Sequence, residues 1–267
     1  MYNFTAMFRW QFAKDYLLHR ISAKNRHGLH SPFVYRLVDE VIYDFQPKKV
    51  YAEVENFRKQ LLADDRSITV TDLGAGSHVN NNKQKRVSQI AKNALKPPKL
   101  AQLLYRLAAD AKPDTMIELG TCLGITSLYL QYAAPHAKIF TLEGCPETAN
   151  IAQQGFNNAG ATDITLITGN FNDTLPGLIA KLPKLDFVFI DGNHQKQATL
   201  DYFHWALPKV HEGTMLIFDD IYWSEGMKEA WAEIKSHPEV TITVDLFWIG
   251  LVFFRKGKPK EDFKIRF

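Results

Sequence analysis

Cysteine is scarce in this sequence, which holds only Cys122 and Cys145 among 267 residues. Two cysteines cannot form the disulfide framework of a small secreted protein, so a reduced cytoplasmic setting is expected. Long apolar runs are also missing, since none reaches the ~18 residues that a membrane-spanning helix needs. The N-terminal segment is interrupted by Arg9 and Lys14 and lacks a small-residue cleavage site, which argues against a signal peptide.

The composition is that of an ordinary globular protein, with 46% hydrophobic and 23% charged residues, which excludes collagen, coiled coil and wholesale disorder. The net charge of +3 hides an asymmetry. Residues 1–99 contain 17 Lys and Arg against 9 Asp and Glu, whereas residues 100–267 contain 15 against 20. The basic part is suited to an anionic partner such as nucleic acid, phospholipid or an acidic substrate. The alternative is that the two parts attract each other.

Short apolar runs alternate with longer amphipathic segments from Pro113 onward. The runs cover 115–119, 138–142, 164–168, 185–190 and 214–219. Apolar strands separated by helices predict an α/β, doubly wound, mostly parallel sheet with ligand sites at the carboxyl ends of its strands. The stretch 241–256 contains two β-rich runs with no helix between them, which predicts an antiparallel pair on the edge of the sheet.

The N-terminal part of the chain has a different pattern. Helical periodicity is present over 10–20, 32–43 and 83–110, with a short apolar strand at 67–73. The boundary falls best at Lys96-Pro97-Pro98-Lys99. We therefore predict a mainly helical accessory region, residues 1–98, and a catalytic-type domain, residues 99–267.

The accessory region is expected to fold onto the second domain and cover its cleft. Its aromatic residues are then buried against that domain; they are Phe4, Phe8, Trp10, Phe12 and Tyr16. The alternatives are an independent tethered module that binds a partner or mediates dimerisation, and weak contact with a membrane surface.

A glycine turn follows the first run of the second domain. Gly120 and Gly124 allow the backbone to turn tightly and a ligand to approach it. The next strand ends at Glu143, about 20 residues later, where a carboxylate can accept both hydroxyls of a ribose. The alternatives are an ordinary strand-to-helix turn and an acidic helix-capping residue. The spacing does not give the G-x-G-x-x-G fingerprint of dinucleotide-binding proteins.

Four blocks in order over about 110 residues resemble class I S-adenosylmethionine (SAM) methyltransferases, in particular the catechol and caffeoyl-CoA O-methyltransferase-like group. The blocks are IELGTCLGITSLYL, TLEGCPETANIAQQGFNNAG, ITLITGNFNDTLPGL, and DFVFIDGNH with MLIFDDIYWSEG. The resemblance implies a seven-stranded Rossmann-like methyltransferase sheet with SAM as the cofactor.

The resemblance also implies a set of cofactor-binding residues, in which Asn172 matches an amide that contacts adenine and Trp223 matches a tryptophan of the caffeoyl-CoA group. The set is Glu118, Gly120, Thr121, Gly124, Thr126, Glu143, Gly144, Asn172, Asp191 and Trp223. A second glycine turn, Asp72 to Ser77, also looks like a SAM turn. It is followed by a polar, basic segment and by no acidic strand end, so we place the cofactor at Gly120.

Three carboxylates stand at the ends of the last two parallel strands: Asp191, Asp219 and Asp220. Converging like charges raise one another's pKa, and a divalent cation is the simplest neutralising partner. Oxygen ligands suit Mg²⁺, Mn²⁺ or Ca²⁺. The resemblance implies Mg²⁺ on these residues, although Asp220 replaces the Asn of the family. The alternative is that the carboxylates cap a helix and order a loop.

The catechol group has a catalytic Lys three residues after the first of these carboxylates, where this sequence has His194. Imidazole, with a pKa near 6.5, can accept a hydroxyl proton at neutral pH, so His194 and Asp191 are the predicted catalytic residues. The predicted function is SAM-dependent O-methylation of a small-molecule hydroxyl, assisted by a divalent metal. The alternatives are an RNA methyltransferase that uses the basic region and a non-catalytic SAM-binding scaffold.

Overall fold

The computed structural model describes residues 2–71, 83–257 and 259–267, without the side chains of residues 2–9 and 27. The helices are α1 (Tyr2–Ser22), α2 (Pro32–Arg36), α3 (Lys49–Leu62), α4 (Val87–Ala94), α5 (Pro98–Ala111), α6 (Ile125–Ala133), α7 (Pro146–Ala159), α8 (Phe171–Lys181), α9 (Lys196–Ala206) and α10 (Glu225–Ser236). A π-helical turn, Leu37–Ile42, continues α2, and short 3-10 turns occupy Arg26–Gly28 and Leu207–Lys209. Among these helices, none has the length and apolar character that crossing a membrane requires.

The strands form one large sheet and one small one. They are β1 (Ser67–Thr69), β2 (Gln84–Arg86), β3 (Thr115–Leu119), β4 (Lys138–Glu143), β5 (Ile164–Thr168), β6 (Phe187–Ile190), β7 (Met215–Asp219), β8 (Ile242–Asp245), β9 (Ile249–Phe253) and β10 (Glu261–Lys264). The large sheet has the order β10-β8-β9-β7-β6-β3-β4-β5. All neighbours pair in parallel except β9, which is antiparallel to β7 and β8. The predicted doubly wound, mostly parallel α/β class is confirmed.

The sheet has one strand more than the seven that the resemblance implies. β10 pairs in parallel with β8 and forms the edge, so the predicted antiparallel pair, β8 and β9, lies inside that edge. The missed strand has the sequence EDFK, and its side chains alternate between half-buried and exposed. An edge strand with three charged residues in four buries too little apolar surface to leave a hydrophobic signature.

Apolar side chains explain why the central strands lie where they do. All residues of β6 and β7 are buried, as are four of the five in β3. Strands with no polar face must be covered on both sides. One core cluster lies on the face covered by α5 and α6, and a second lies on the face covered by α8, α9 and α10. Because helices cover both faces of the sheet, the predicted site residues lie at its edge, where β3, β4, β6 and β7 have their carboxyl ends.

The helix predicted over 83–110 is instead divided into β2, α4 and α5. Residues 84–86 pair with 67–69 in an antiparallel ladder, and 67–69 are the strand residues within the described part, 67–71, of the strand predicted at 67–73. The second break falls at Pro97 and Pro98, because proline removes a backbone donor and keeps the preceding residue out of the helical region. The alternative glycine turn, Asp72 to Ser77, lies outside the described residues.

The accessory region shares a core with the rest of the chain. Val34, Leu37 and Val54 belong to the same buried cluster as Leu104 and Leu128, which lie beyond the predicted boundary. Two charged hydrogen bonds also join the two regions. The Arg36 guanidinium donates to both carboxylate oxygens of Asp110, at 2.7 and 2.8 Å. The division into residues 1–98 and 99–267 stays a prediction, and the contacts across it are extensive.

Helix α1 packs its aromatic face on the loop between β8 and β9. Phe12 contacts Phe247 with ring centroids 5.1 Å apart, and Tyr16 contacts the same ring at 5.0 Å. The side chain of Trp10 is 73% exposed, so its predicted burial is wrong. The side chains of Phe4 and Phe8 are not among those described. A helix can bury only one stripe, and Trp10 lies off the stripe that carries Phe12 and Tyr16.

Candidate active site

The glycine turn between β3 and α6 lies directly against the end of β6. Gly120 has φ +96° and Gly124 has φ +84°, a conformation that side chains rarely adopt. A Cβ atom added to Gly120 would lie 2.0 Å from the backbone oxygen of Asp191. The backbone N–H of Asp191 in turn donates to the carbonyl of Leu119 at 2.9 Å. The turn predicted to hold the cofactor and the first predicted carboxylate are therefore in contact.

Glu143, at the end of β4, holds this turn in place. Its Oε2 accepts from the backbone N–H of Cys122 at 2.7 Å, and its Oε1 accepts from that of Cys145 at 2.9 Å. Burial raises the pKa of the Glu143 carboxyl, and these backbone donors oppose the rise. Each carboxylate oxygen accepts more than one hydrogen bond. These bonds fix the Glu143 carboxylate beside the turn, and its contact with the hydroxyls of a ribose stays a prediction from sequence.

Glu118 lies behind the turn and is fully buried. Its Oε2 accepts from the hydroxyls of Thr141, at 2.6 Å, and Ser127. Burial raises the pKa of Glu118 to about 8. Its Oε1 has no hydrogen-bond partner in the part of the chain that the structure describes. The Thr121 hydroxyl lies 2.6 Å from that of Thr141 and belongs to the same hydrogen-bond network, which thus joins the glycine turn to β4.

The other predicted cofactor residues surround the turn at different depths. Thr126 is buried in the first turn of α6, and Gly144 is half-buried directly after Glu143. Asn172 is exposed in the first turn of α8. Trp223 is half-buried, and its backbone N–H donates to the carbonyl of Asp220 at 2.8 Å.

The predicted carboxylates and histidine converge at the ends of β6 and β7. The side chains of Asp191, Asp219 and Asp220 are 14%, 1% and 29% exposed. His194 Nε2 lies 3.6 Å from Asp191 Oδ1 and 4.0 Å from Asp220 Oδ2. Ligand atoms of Asp191, His194 and Asp219 lie within 4.8 Å of one another. We call Asp191, His194, Asp219 and Asp220 the acidic cluster.

Sequence reasoning missed a lysine inside the acidic cluster. Lys96 Nζ donates to Asp219 Oδ2 and lies 3.0 Å from Asp191 Oδ1. Its side chain is only 14% exposed. Burial works against the charged form, but the charges of the three carboxylates outweigh it and raise the pKa of Lys96. Burial and the charge on Asp191 raise the pKa of Asp219, and the Lys96 ammonium opposes that rise.

The local sequence fixes the backbone at Lys96. It lies in the connection between α4 and α5, after Leu95, which is extended with φ −71° and ψ 135°. Pro97 and Pro98 follow, and proline disfavours helical backbone in the residue before it. The sequence contains one indication, because three converging carboxylates require a compensating cation. It does not show which lysine of the chain supplies that cation.

Aromatic residues support the loop that carries Asp220. The backbone N–H of Asp220, where φ is +52°, donates to the carbonyl of Trp248 at 2.8 Å. The Tyr222 ring stacks on Phe247 with centroids 4.7 Å apart, and its hydroxyl donates to Asp245 Oδ2 at 2.8 Å. Phe247 and Trp248 also contact α1, so the acidic cluster rests indirectly on the N-terminal helix.

The chain is similar to known methyltransferases over this part of the fold. A methyltransferase domain family matches residues 117–221. The catechol O-methyltransferase of Niastella koreensis is 32% identical over 46% of this chain and 57% of that protein. The catechol O-methyltransferase of Mycobacterium tuberculosis is 29% identical over 49% of this chain and 61% of that protein. These matches span about three fifths of each relative.

The fold has solved counterparts as well. An O-methyltransferase from Bacillus cereus, solved in complex with SAH, superimposes with a TM-score of 0.56 at 19% identity, covering 81% of this chain and 96% of that one. Residues 117–221 are therefore similar to a methyltransferase domain family, and the chain shares its fold with this solved O-methyltransferase.

Proposed function

We propose that this protein transfers the methyl group of SAM to a hydroxyl oxygen of a small molecule. The observation that carries the proposal is the contact between Gly120 in the glycine turn and Asp191 in the acidic cluster. A methyl donor held by the turn would therefore point towards the cluster. Two relatives named catechol O-methyltransferase support a hydroxyl acceptor of low molecular mass.

In the proposed reaction the bond between sulfur and methyl carbon breaks, and a bond forms between that carbon and the acceptor oxygen. The sulfonium takes the electron pair and becomes a neutral thioether, while the hydroxyl proton passes to a base. We assign the base to His194, whose Nε2 faces Asp191 Oδ1 at 3.6 Å. The cofactor supplies the leaving group, so the protein contributes mainly position and orientation.

A divalent ion on Asp191, Asp219 and Asp220 is the prediction from sequence, and the catechol-type relatives favour it. The oxygen donors suit Mg²⁺ by their chemistry. The Lys96 ammonium, however, holds oxygen atoms of Asp191 and Asp219. As these side chains are arranged, they do not fit a metal ion, and we derive no step of the reaction through one.

Calorimetric titration with SAM and with its demethylated product tests the cofactor. We expect both to bind, and we expect Glu143→Ala to weaken binding by about 1.5 kcal/mol or more, the scale of hydrogen bonds to a charged group. Glu212→Ala, which alters an exposed carboxylate far from the turn in sequence, is the matched control and should bind as the wild type does. Binding of neither compound by the wild type would contradict the proposal.

A transfer assay with methyl-labelled SAM tests the acceptor. Labelled small molecules from a mixed cell extract would support the proposal, labelled RNA would favour the alternative of an RNA methyltransferase, and SAM binding without transfer would indicate a scaffold. RNA binding by the basic region, dimer formation and a cytoplasmic location stay predictions from sequence. RNA binding is checked by its salt dependence, which is steep when phosphate contacts dominate.

A further inference from the structure

We propose that Lys96 is the resident cation of the acidic cluster and occupies the position for which a divalent metal ion would compete. The inference rests on the proposed function in one respect, namely that the methyl acceptor binds beside the acidic cluster. It predicts an enzyme in which a lysine of the same chain pairs with the two least exposed carboxylates of the cluster. Chelators should then leave methyl transfer intact.

The Lys96 ammonium and a metal ion would need the same carboxylate oxygens. Lys96 Nζ contacts Asp219 Oδ2 and lies 3.0 Å from Asp191 Oδ1. Those two carboxylates are also two of the three groups whose ligand atoms lie within 4.8 Å of one another. A divalent ion bonds to such oxygens at about 2.0–2.6 Å. An ion there would meet a like charge, so either the ammonium or the metal must leave.

Lys96 has little freedom to leave these carboxylates. Its neighbours in the chain are anchored on both sides, by Ile90 and Ala91 of α4 and by Leu100 and Ala101 of α5, all of which are buried. The extended backbone at Leu95 and the two prolines limit movement of the connection itself. An ammonium removed from its carboxylates at a site with 14% exposure would lose its partners without gaining full solvation.

The charge balance of the acidic cluster also favours a resident cation. Asp191, Asp219 and Asp220 carry three negative charges when ionised, and Asp219 is almost fully buried. Buried charges of one sign are tolerated when an opposite charge pairs with them. Lys96 pairs with the two least exposed carboxylates, while the 29% exposed Asp220 retains contact with water. The cluster is thus stabilised where burial makes neutralisation necessary.

Mn²⁺ titration followed by electron paramagnetic resonance tests the inference on the full chain. We expect weak binding to the wild type and at least tenfold tighter binding to Lys96→Met, because the vacated carboxylates then attract the ion. Lys96→Arg, which keeps the charge, should bind weakly. Lys92→Met, which removes an exposed lysine of α4, is the matched control. Equal affinity of the wild type and Lys96→Met for Mn²⁺ would overturn the inference.

Thermal unfolding adds a second readout. Lys96→Met should lower the Tm by roughly 5–15 °C in a chelator, the range for breaking a buried ion pair, and Mn²⁺ should restore part of that loss. The wild-type Tm should not respond to Mn²⁺ at the same concentration. A rise in the wild-type Tm as large as that of the variant would contradict the inference.

Amine labelling of the wild type decides the question even if Lys96→Met does not fold. Lys96 should react at least tenfold more slowly than Lys92 with an acetylating reagent, both with Mg²⁺ and with a chelator, as followed by mass spectrometry. Protection that Mg²⁺ abolishes would mean that the ion displaces the lysine, and would overturn the inference. None of these measurements requires methyl transfer, so an inactive protein would contradict the proposed function alone.

Discussion

The two halves of the site differ in how they are assembled. The cofactor half, residues 118–145, is held by short-range contacts such as those from Glu143 to the backbone of Cys122 and Cys145. The acidic cluster depends on distant parts of the chain, because Lys96 lies 123 positions before Asp219. A motif can specify the first half locally. The second half needs a side chain from the accessory region, so a change at Lys96 should affect the acidic cluster more than the cofactor half.

The largest effect should come from breaking the contact between the halves. Gly120→Ala places a Cβ atom 2.0 Å from the carbonyl oxygen of Asp191 and keeps φ at +96°. We expect a loss of more than ~3 kcal/mol in the free energy of unfolding, together with loss of SAM binding. Urea unfolding and calorimetry measure both. Gly160→Ala, also at positive φ but with no described atom within 4 Å of the added Cβ, should lose only about 1–2 kcal/mol.

An intermediate effect should come from the contact between α1 and the support of the acidic cluster. Asp245 Oδ1 lies 3.0 Å from His19 Nε2 and accepts from the backbone N–H of Phe247. Burial opposes ionisation of Asp245, but the bonds from His19 and Phe247 outweigh it, so its pKa is lowered. Asp245→Asn should lower the free energy of unfolding at pH 7 by about 2 kcal/mol, the scale of hydrogen bonds to a charged group.

The pH dependence of that effect follows from the lowered pKa of Asp245. A carboxylate whose pKa falls on folding stabilises the protein above its unfolded value near 4, and this stabilisation is lost as the pH falls through the folded value. Urea unfolding between pH 7 and pH 3 should therefore show a steeper acid loss for the wild type than for Asp245→Asn. Parallel curves would contradict this assignment. The wild type and Asp245→Asn should bind SAM with equal affinity, because neither His19 nor Asp245 contacts the cofactor half.

The smallest effect separates two aromatic residues of the same helix. Phe12→Ala removes a half-buried ring that contacts Phe247 and Trp248, and should lower the free energy of unfolding by about 1 kcal/mol. Trp10→Ala, at a side chain 73% exposed, should change it by less than about 0.5 kcal/mol. Once an acceptor is known, Phe12→Ala should raise its KM without altering SAM affinity. A change in SAM affinity would show that α1 also supports the cofactor half.

The sequence predicts the sheet well where strands are buried on both faces. The run at 115–119 matches β3, and the run at 214–219 matches β7 to within one residue, because buried strands of a covered sheet must be largely apolar. It fails at β10, an edge strand whose charged residues face water. It also fails at 83–110, where helical periodicity continues through a strand pairing and two prolines. Local patterns report burial and backbone preference, and they carry little information about pairing between distant segments.

The candidate site likewise contains residues that the sequence predicts and a residue that it does not. The convergence of Asp191, His194 and Asp219 was predictable, because parallel strands bring their carboxyl ends to one edge. The role of Lys96 was not, since nothing in the order of residues shows which basic side chain reaches those carboxylates. The exposure of Trp10 was missed for a related reason. Composition shows that α1 is rich in aromatic residues, but only the helix orientation decides which of them are covered.

The separation of Lys96 from Asp219 also has a consequence for how the protein is made. At roughly 5–20 residues per second of synthesis, about 6–25 seconds pass between translation of Lys96 and translation of its partner 123 positions later. During that interval Lys96 lacks its partner Asp219, and Asp191 is translated before β7. The glycine turn and Glu143 can meet much earlier, since their contacts join residues only 2 and 21 positions apart. A nascent chain should thus form its cofactor half first and acquire its balanced acidic cluster only after β7 joins the sheet.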